Sequence, residues 1–153
     1  MDNQQARQFI YKNARPLDIA RWKYFFENGS KEEVLKALSV YQNEDGGFGS
    51  ALEPDCWNPN SAPVQTWVAT EIIREIELDD QEHPVIQGIL KYLSSKKNFD
   101  GHTWSNTIIT NNDYLITISI RKSDFLNDFR NGLVNDFFVY KKTRFILQIL
   151  YTI

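Results

Sequence analysis

The sequence predicts an all-α protein built from stacked antiparallel helical hairpins. Three observations predict it: helix start and stop signals recur along the N-terminal two thirds of the chain, apolar residues between them follow helical spacing, and one helix–turn unit occurs twice. A length of 153 residues fits one domain, and the apolar and charged contents, 42% and 24%, are ordinary for a globular protein.

The first two predicted helices are short and are separated by a proline. We expect one helix over 5–13 and a second over 18–27, with Asp18 as the N-cap of the second. Asn28 and Gly29 then end it, since both tolerate the left-handed conformation that closes many helices. The apolar face of the second helix is expected to carry Ile19, Trp22, Phe25 and Phe26.

The next three helices have clear start signals. Ser30 and Glu33 form a Ser-x-x-Glu capping box before a third helix over 31–41. Ser61 is the expected N-cap of a fourth helix over 62–77. A fifth helix, over 84–95, begins at a proline, which lacks only an N–H that the first helical turn does not use.

A helix–turn unit repeats at a shift of 55 residues without a gap. Leu35 falls on Leu90, and Gly46 falls on Gly101. Such a period is typical of stacked helical hairpins, each of which buries a face on its neighbours. The positions of the unit are Leu38, Gln42, Gly46, Gly47 and Phe48 in the first copy, and Tyr92, Leu93, Gly101 and Trp104 in the second.

The turn of this unit follows from simple physical needs. A helix ends with unpaired carbonyls, and we expect the Gln42 amide to satisfy those at the end of the third helix. Gly46 and Gly47 are expected to reverse the chain through positive φ. Phe48 is then expected to fold back over the polar junction.

The string Gln42-Asn43-Glu44-Asp45-Gly46-Gly47-Phe48-Gly49, taken with Leu38, resembles the QW repeat of squalene–hopene cyclases and the glycine-rich repeat of protein prenyltransferase β subunits. The second copy departs from that pattern at Lys97, which replaces the glutamine, and at Trp104, which lies one place late. The resemblance covers about residues 30–114, and the stretch 52–60 resembles a bacterial branch of uncharacterised toroid proteins. It implies a partial α/α toroid, an incomplete ring of helical hairpins related to terpene cyclases and prenyltransferases.

The catalytic motifs of that superfamily are not found in the sequence. Protonating cyclases carry Asp-x-Asp-Asp, and its nearest match is the Asp-Asp pair at 79–80, which we expect to be solvated at a helix end. The prenyltransferase zinc site has Asp and Cys separated by one residue, whereas Asp55 and Cys56 are adjacent, and His83 and His102 are scattered. We therefore expect no metal and no cofactor, and we assign no catalytic residue.

The acidic loop over 43–60 is long for a compact domain, which is typical of functional or disordered segments. The resemblance implies that this loop lies at the rim of a central cavity and lines a pocket for a small or isoprenoid-like ligand. The alternative, which we favour, is that its short polar side chains bond the loop's own backbone. The ligand-binding candidates are Glu53, Asp55, Trp57, Asn58, Asn60 and, on the next helix, Gln65.

Charge and composition exclude several classes of partner. A net charge of −3 leaves no basic excess to neutralise the phosphates of nucleic acid or of an anionic membrane. No apolar run approaches the ~20 residues that a membrane span needs, and the N-terminus lacks an apolar signal core. The one cysteine, Cys56, cannot form an internal disulfide, and together these features predict a cytoplasmic protein.

The repeat pattern ends near Tyr114. At the same shift Trp67, a predicted core position, falls on Lys122. We therefore predict two segments, toroid repeats over 1–114 and a different segment over 115–153. The second is either a genuine divergent helical tail or the product of a frameshift or early stop.

Three functional hypotheses follow. The chain is an enzyme-derived protein acting on an isoprenoid, a non-catalytic helical-repeat module that binds a ligand or protein partner, or a defective product without activity. The resemblance implies that the chain supplies about half of a closed ring. A half-ring leaves apolar helix faces uncovered, which predicts self-association.

Overall fold

The computed structural model describes residues 3–105 and 108–114. Over these residues the chain is all-α, with five α-helices, one short 3₁₀ helix and no strand. The α-helices are α1 (Asn3–Asn13), α2 (Pro16–Phe26), α3 (Lys31–Ser39), α4 (Pro63–Glu75) and α5 (Pro84–Ser94), and the 3₁₀ helix spans Ile109–Asp113. The five predicted helices are confirmed, with bounds that differ by up to two residues. The predictions for 115–153 lie outside the described residues.

Helix α2 begins earlier than predicted, and Asp18 is not its N-cap. Pro16 occupies the first turn, and the N-cap residue, Arg15, makes no side-chain bond to the helix backbone. The Arg15 Nε donates instead to Asp18 Oδ2 at 2.8 Å, so the aspartate lies inside the first turn as the partner of the arginine. The predicted end of α2 is confirmed, because Asn28 has a φ of +56° and the Gly29 N–H donates back into the last turn.

Side chains cap the starts of α3 and α5. The Ser30 Oγ accepts the backbone N–H of Glu33 at 3.2 Å, which confirms the predicted N-cap. At α5, the His83 Nδ1 accepts the N–H of Val85 at 3.2 Å, a cap that the sequence analysis did not predict. Each cap satisfies one of the N–H groups that a helix start leaves free.

Ser61 does not cap α4. The N-cap position belongs to Ala62, which has no side chain able to accept a bond. The Ser61 Oγ donates instead to the Asp45 carboxylate and accepts from Asn43 Nδ2 at 2.9 Å. The serine therefore joins the start of α4 to the turn that follows α3.

The core lies among α2, α3, α4 and α5. Leu38 and Phe48 are fully buried in it, and burial of side chains of this size stabilises by roughly 1.5–3 kcal/mol each. The buried apolar residues of this cluster are Leu17, Ala20, Val34, Leu35, Leu38, Phe48, Leu52, Ala69, Ile72, Ile73, Ile76, Val85 and Ile89.

The face of α2 that enters this core differs from the predicted one. Leu17 and Ala20 are buried and Tyr24 packs against the core, a stripe spaced i, i+3 and i+7. Phe25 and Phe26 are 47% and 69% exposed. The prediction of Phe25 and Phe26 on the buried face was wrong, because it began the helix at Asp18 and so left Leu17 out of the stripe. Ile19 and Trp22, the other two predicted residues, are half-buried.

Candidate functional site

The first glycine turn, residues 42–49, closes against the start of α5. The Gln42 Nε2 donates to the carbonyl of Gly46 in its own turn and to the carbonyl of Val85 in α5, each at 3.0 Å. It was predicted to bond the free carbonyls at the end of α3, and it bonds these two instead. The glutamine therefore joins the first turn to the start of α5.

The two glycines of this turn are required for different reasons. Gly46 has a φ of +87°, as predicted, and a Cβ there would lie 2.0 Å from the carbonyl oxygen of Gly88 in α5. Gly47 does not have a positive φ, which corrects the prediction. A Cβ at Gly47 would lie 2.6 Å from Ser61 and 2.7 Å from Tyr92, so close packing excludes a side chain.

The second copy of the unit repeats the turn geometry. The Asp45 carboxylate accepts the N–H of Gly47 at 3.1 Å, and the Asp100 carboxylate accepts the N–H of His102 at 2.8 Å. Gly101 has a φ of +99°, close to that of its counterpart in the first copy. The shift of 55 residues seen in the sequence therefore corresponds to two turns of the same local shape.

The aromatic residue after each turn folds back, as predicted. Phe48 is fully buried and pairs with Gln42 through an isolated antiparallel bridge. Trp104 also forms an isolated antiparallel bridge, with Phe99, and its ring stacks on that of Tyr92 with centroids 6.3 Å apart. Both turns therefore end in a bridge to an aromatic residue, but the partner in the second copy is Phe99 and not Lys97, the equivalent of Gln42.

Lys97 occupies the position that corresponds to Gln42, and it bonds the first turn. Its Nζ donates to Asp45 Oδ2 at 3.1 Å. Burial opposes ionisation of Asp45, but hydrogen bonds from Ser61, Lys97 and the Gly47 N–H outweigh it, so the pKa of this carboxyl lies below its usual value. The substitution in the second copy therefore adds a contact between the two turns.

Asn58, one of the ligand-binding candidates, is fully buried and uses both ends of its amide. Its Nδ2 donates to Thr110 Oγ1 at 2.8 Å and to Asn111 Oδ1 at 2.7 Å. Its Oδ1 accepts the backbone N–H of Asn60 at 2.9 Å and the side-chain amide of the same residue at 3.1 Å. These bonds join the loop 50–60 to the 3₁₀ helix.

Gln65, a second candidate, is also fully buried. Its Oε1 accepts the N–H of Glu53 at 3.3 Å, and its Nε2 donates to the Asn58 carbonyl at 3.3 Å. The same nitrogen lies 3.6 Å from the Cys56 Sγ. We call Asn58, Gln65 and Asn111 the buried amide cluster, because all three are buried and together they join α4, the loop and the 3₁₀ helix.

The other candidates lie nearer the surface. Trp57 is 58% exposed, and its indole N–H donates to the Pro54 carbonyl at 3.0 Å. Asn60 is exposed and bonds Asn58, whereas the exposed Asp55 carboxylate has no hydrogen-bond partner in the described part of the chain. Of these candidates, Asn60 and Gln65 both bond Asn58, whereas Asp55 and Trp57 do not.

Glu53, the remaining candidate, is partly buried. Partial burial raises the pKa of its carboxyl, the nearby Asp55 raises it further, and Arg15 opposes both. The Arg15 Nη1 itself donates to the Ala51 carbonyl at 2.6 Å, which holds the loop on the start of α2. A carboxyl with a raised pKa is the type of group that general acid catalysis uses.

Arg15, Thr110 and Asn111 were not predicted as partners of the loop. Arg15 lies 36 residues from Ala51, and Thr110 and Asn111 lie 52 and 53 residues from Asn58. Neither periodicity nor capping signals extend over such separations. The short 3₁₀ helix that carries Thr110 and Asn111 was not among the predicted helices.

An open groove of about 350 Å³ lies between α2 and α3. Val40 at its edge is 79% exposed, and Ala20 and Ala37 contribute apolar surface. The lining residues are Pro16, Ala20, Lys23, Glu33, Lys36, Ala37 and Val40. The groove is thus an apolar surface that the described chain leaves uncovered.

The described ranges contain no group of three or more His, Cys, Asp or Glu side chains arranged to hold a metal ion. Cys56 is free, and burial raises the pKa of its thiol. None of the helices in these ranges is both long and apolar enough to cross a membrane. Comparison of the chain with protein-family models, curated proteins and solved structures found no match.

Proposed function

We propose that this chain is a non-catalytic helical-repeat module of the terpene cyclase and prenyltransferase toroid type, which binds a partner through its helix surfaces. The observation that carries the proposal is the buried amide cluster. A side chain that recognises a ligand must exchange its hydrogen bonds with that ligand. The amides of Asn58 and Gln65 are already hydrogen-bonded within the protein. This supports a structural role for the two residues and binding through the helix surfaces instead.

The proposed architecture is a set of antiparallel hairpins stacked as part of an α/α toroid. It is supported by the two turns that share an aspartate-to-backbone bond and a glycine of positive φ. It is also supported by the close backbone contact between Gly46 and Gly88, since adjacent repeats bury their faces on each other. We further propose a cytoplasmic location, which agrees with a single unpaired thiol.

The proposed partner is a second copy of this chain, at the groove between α2 and α3. Apolar surface at Val40 and Ala37 favours association because burying it releases water. Sedimentation velocity tests this, and Val40→Glu is expected to reduce the oligomeric fraction. Val40→Ile is the matched control, and an oligomer that Val40→Glu leaves unchanged would remove the groove from the proposal.

A second candidate function, acid-assisted isoprenoid chemistry, is favoured by one observation. Glu53 has a raised pKa because of burial and of the neighbouring Asp55. Such a group could protonate a substrate if an apolar cavity held the substrate beside it.

An activity assay distinguishes the two functions. The protein, separated into monomeric and oligomeric fractions, is incubated with squalene, or with a prenyl diphosphate, an acceptor peptide and zinc. We expect no product above a no-enzyme control in either fraction. Product that is lost in Glu53→Gln or Asp55→Asn would instead identify the acidic loop as an active site.

A further inference from the structure

We propose that Asn28 is a site of spontaneous deamidation and that the folded end of α2 slows the reaction. Asn28 is exposed, has a φ of +56° and is followed by Gly29. Its side chain makes no hydrogen bond within the described ranges, so its amide carbon is open to attack. Glycine places no side chain beside its own backbone nitrogen, which leaves that nitrogen accessible as a nucleophile.

The reaction needs only water as co-reactant. The backbone nitrogen of Gly29 loses its proton and attacks Cγ of Asn28, a C–N bond forms, and the side-chain nitrogen leaves as ammonia. Water then opens the resulting succinimide ring at either carbonyl. The products at position 28 are aspartate and isoaspartate, and no oxidant or reductant takes part.

A hydrogen bond and close packing restrain the Gly29 nitrogen in the folded protein. The Gly29 N–H donates to the Lys23 carbonyl at 2.9 Å, and the same carbonyl accepts the N–H of Glu27 at 2.8 Å. Gly29 also packs so closely that a Cβ would lie 2.7 Å from the Lys23 Cβ. Attack therefore requires that the last turn of α2 opens and releases this nitrogen.

Deamidation changes the junction between α2 and α3. Aspartate at position 28 adds a negative charge beside Glu27, at the helix end where the backbone dipole is already negative. Isoaspartate adds a methylene to the main chain and displaces Gly29 from the Lys23 carbonyl. Ser30, the N-cap of α3, follows directly, so the modification loosens this junction with time.

The chain provides two internal controls. Asn98 has a φ of +65°, close to that of Asn28, but Phe99 follows it and blocks the approach of the backbone nitrogen. Asn131 is followed by Gly132, so it supplies a second Asn-Gly pair whose deamidation rate in urea is the reference for Asn28.

The experiment compares deamidation of the full chain in native buffer and in denaturing urea. Peptide mass spectrometry follows each asparagine, and protein isoaspartyl methyltransferase labels isoaspartate. In urea we expect Asn28 to convert at a rate comparable to that of Asn131, and Asn98 to convert far more slowly. In native buffer, Asn28 is expected to convert about tenfold more slowly than in urea, or slower still.

A variant tests the restraint separately. Ser30→Ala removes the α3 cap and should raise the native rate at Asn28 without changing the rate in urea, while circular dichroism confirms that the variant is folded. Equal rates in native buffer and in urea would overturn the proposal. Absence of conversion in urea, or conversion of Asn98 as fast as Asn28, would overturn it as well.

Discussion

The two equivalent glycines, Gly46 and Gly101, are expected to respond very differently to the same substitution. Both have a positive φ, +87° and +99°, so alanine at either position costs about 1–2 kcal/mol of backbone strain. At Gly46 the new Cβ would also lie 2.0 Å from the Gly88 carbonyl oxygen, whereas at Gly101 no heavy atom lies within 4 Å. Forcing α5 aside adds about 1–3 kcal/mol.

We therefore expect Gly46→Ala to lower the free energy of unfolding by about 2–5 kcal/mol and Gly101→Ala by about 1–2 kcal/mol. The assay is urea unfolding followed by the helical circular dichroism signal, with the slope m checked for each variant. Gly101→Ala is the matched control, since it shares the strain and lacks the clash. Equal losses for the two variants would refute the proposed contact between the first turn and α5.

Two further predictions concern hydrogen bonds. Gln42→Ala removes two hydrogen bonds of 3.0 Å and is expected to lower the free energy of unfolding by about 2 kcal/mol in thermal melts. Gln87→Ala is the control, because it removes one exposed hydrogen bond and should change the free energy of unfolding by less than about 0.5 kcal/mol. Bonds from Tyr11 and Arg7 lower the pKa of Glu27 from 4.5 to about 2, so their stabilisation of α1 is complete above pH 4.5 and is lost as the pH falls towards 2. The protection factors of the α1 amides, which correct exchange rates for their intrinsic dependence on pH, are expected to fall over that range, and Glu27→Gln should abolish this fall.

The helices were predictable because their signals are local. The Ser30 cap, the left-handed Asn28 and the start of α5 at Pro84 each involve residues a few positions apart. Two of the predicted caps were wrong. Asp18 and Ser61 are suitable N-caps by residue type, but each has a stronger partner, Arg15 for the first and the Asp45 carboxylate for the second.

The surroundings of the candidate loop could be predicted only in part. The glycine repeat identified the turns, because a shift of 55 residues is visible in one sequence. The burial of Asn58 was not predictable, since its partners Thr110 and Asn111 lie in a short 3₁₀ helix with no periodic signal. A polar residue in a loop gives no sign in the sequence of whether its amide meets solvent or another amide.

Asn58 joins the loop 50–60 to the 3₁₀ helix, so the stability of an Asn58 variant shows whether its amide serves the fold or a ligand. Asn58→Ala removes four side-chain hydrogen bonds from a fully buried position and is expected to lower the free energy of unfolding by about 2–4 kcal/mol in urea. Asp55→Ala, at an exposed position three residues away, should change it by less than about 0.5 kcal/mol. An Asn58→Ala protein as stable as the wild type would contradict the account and return Asn58 to the set of ligand-binding residues.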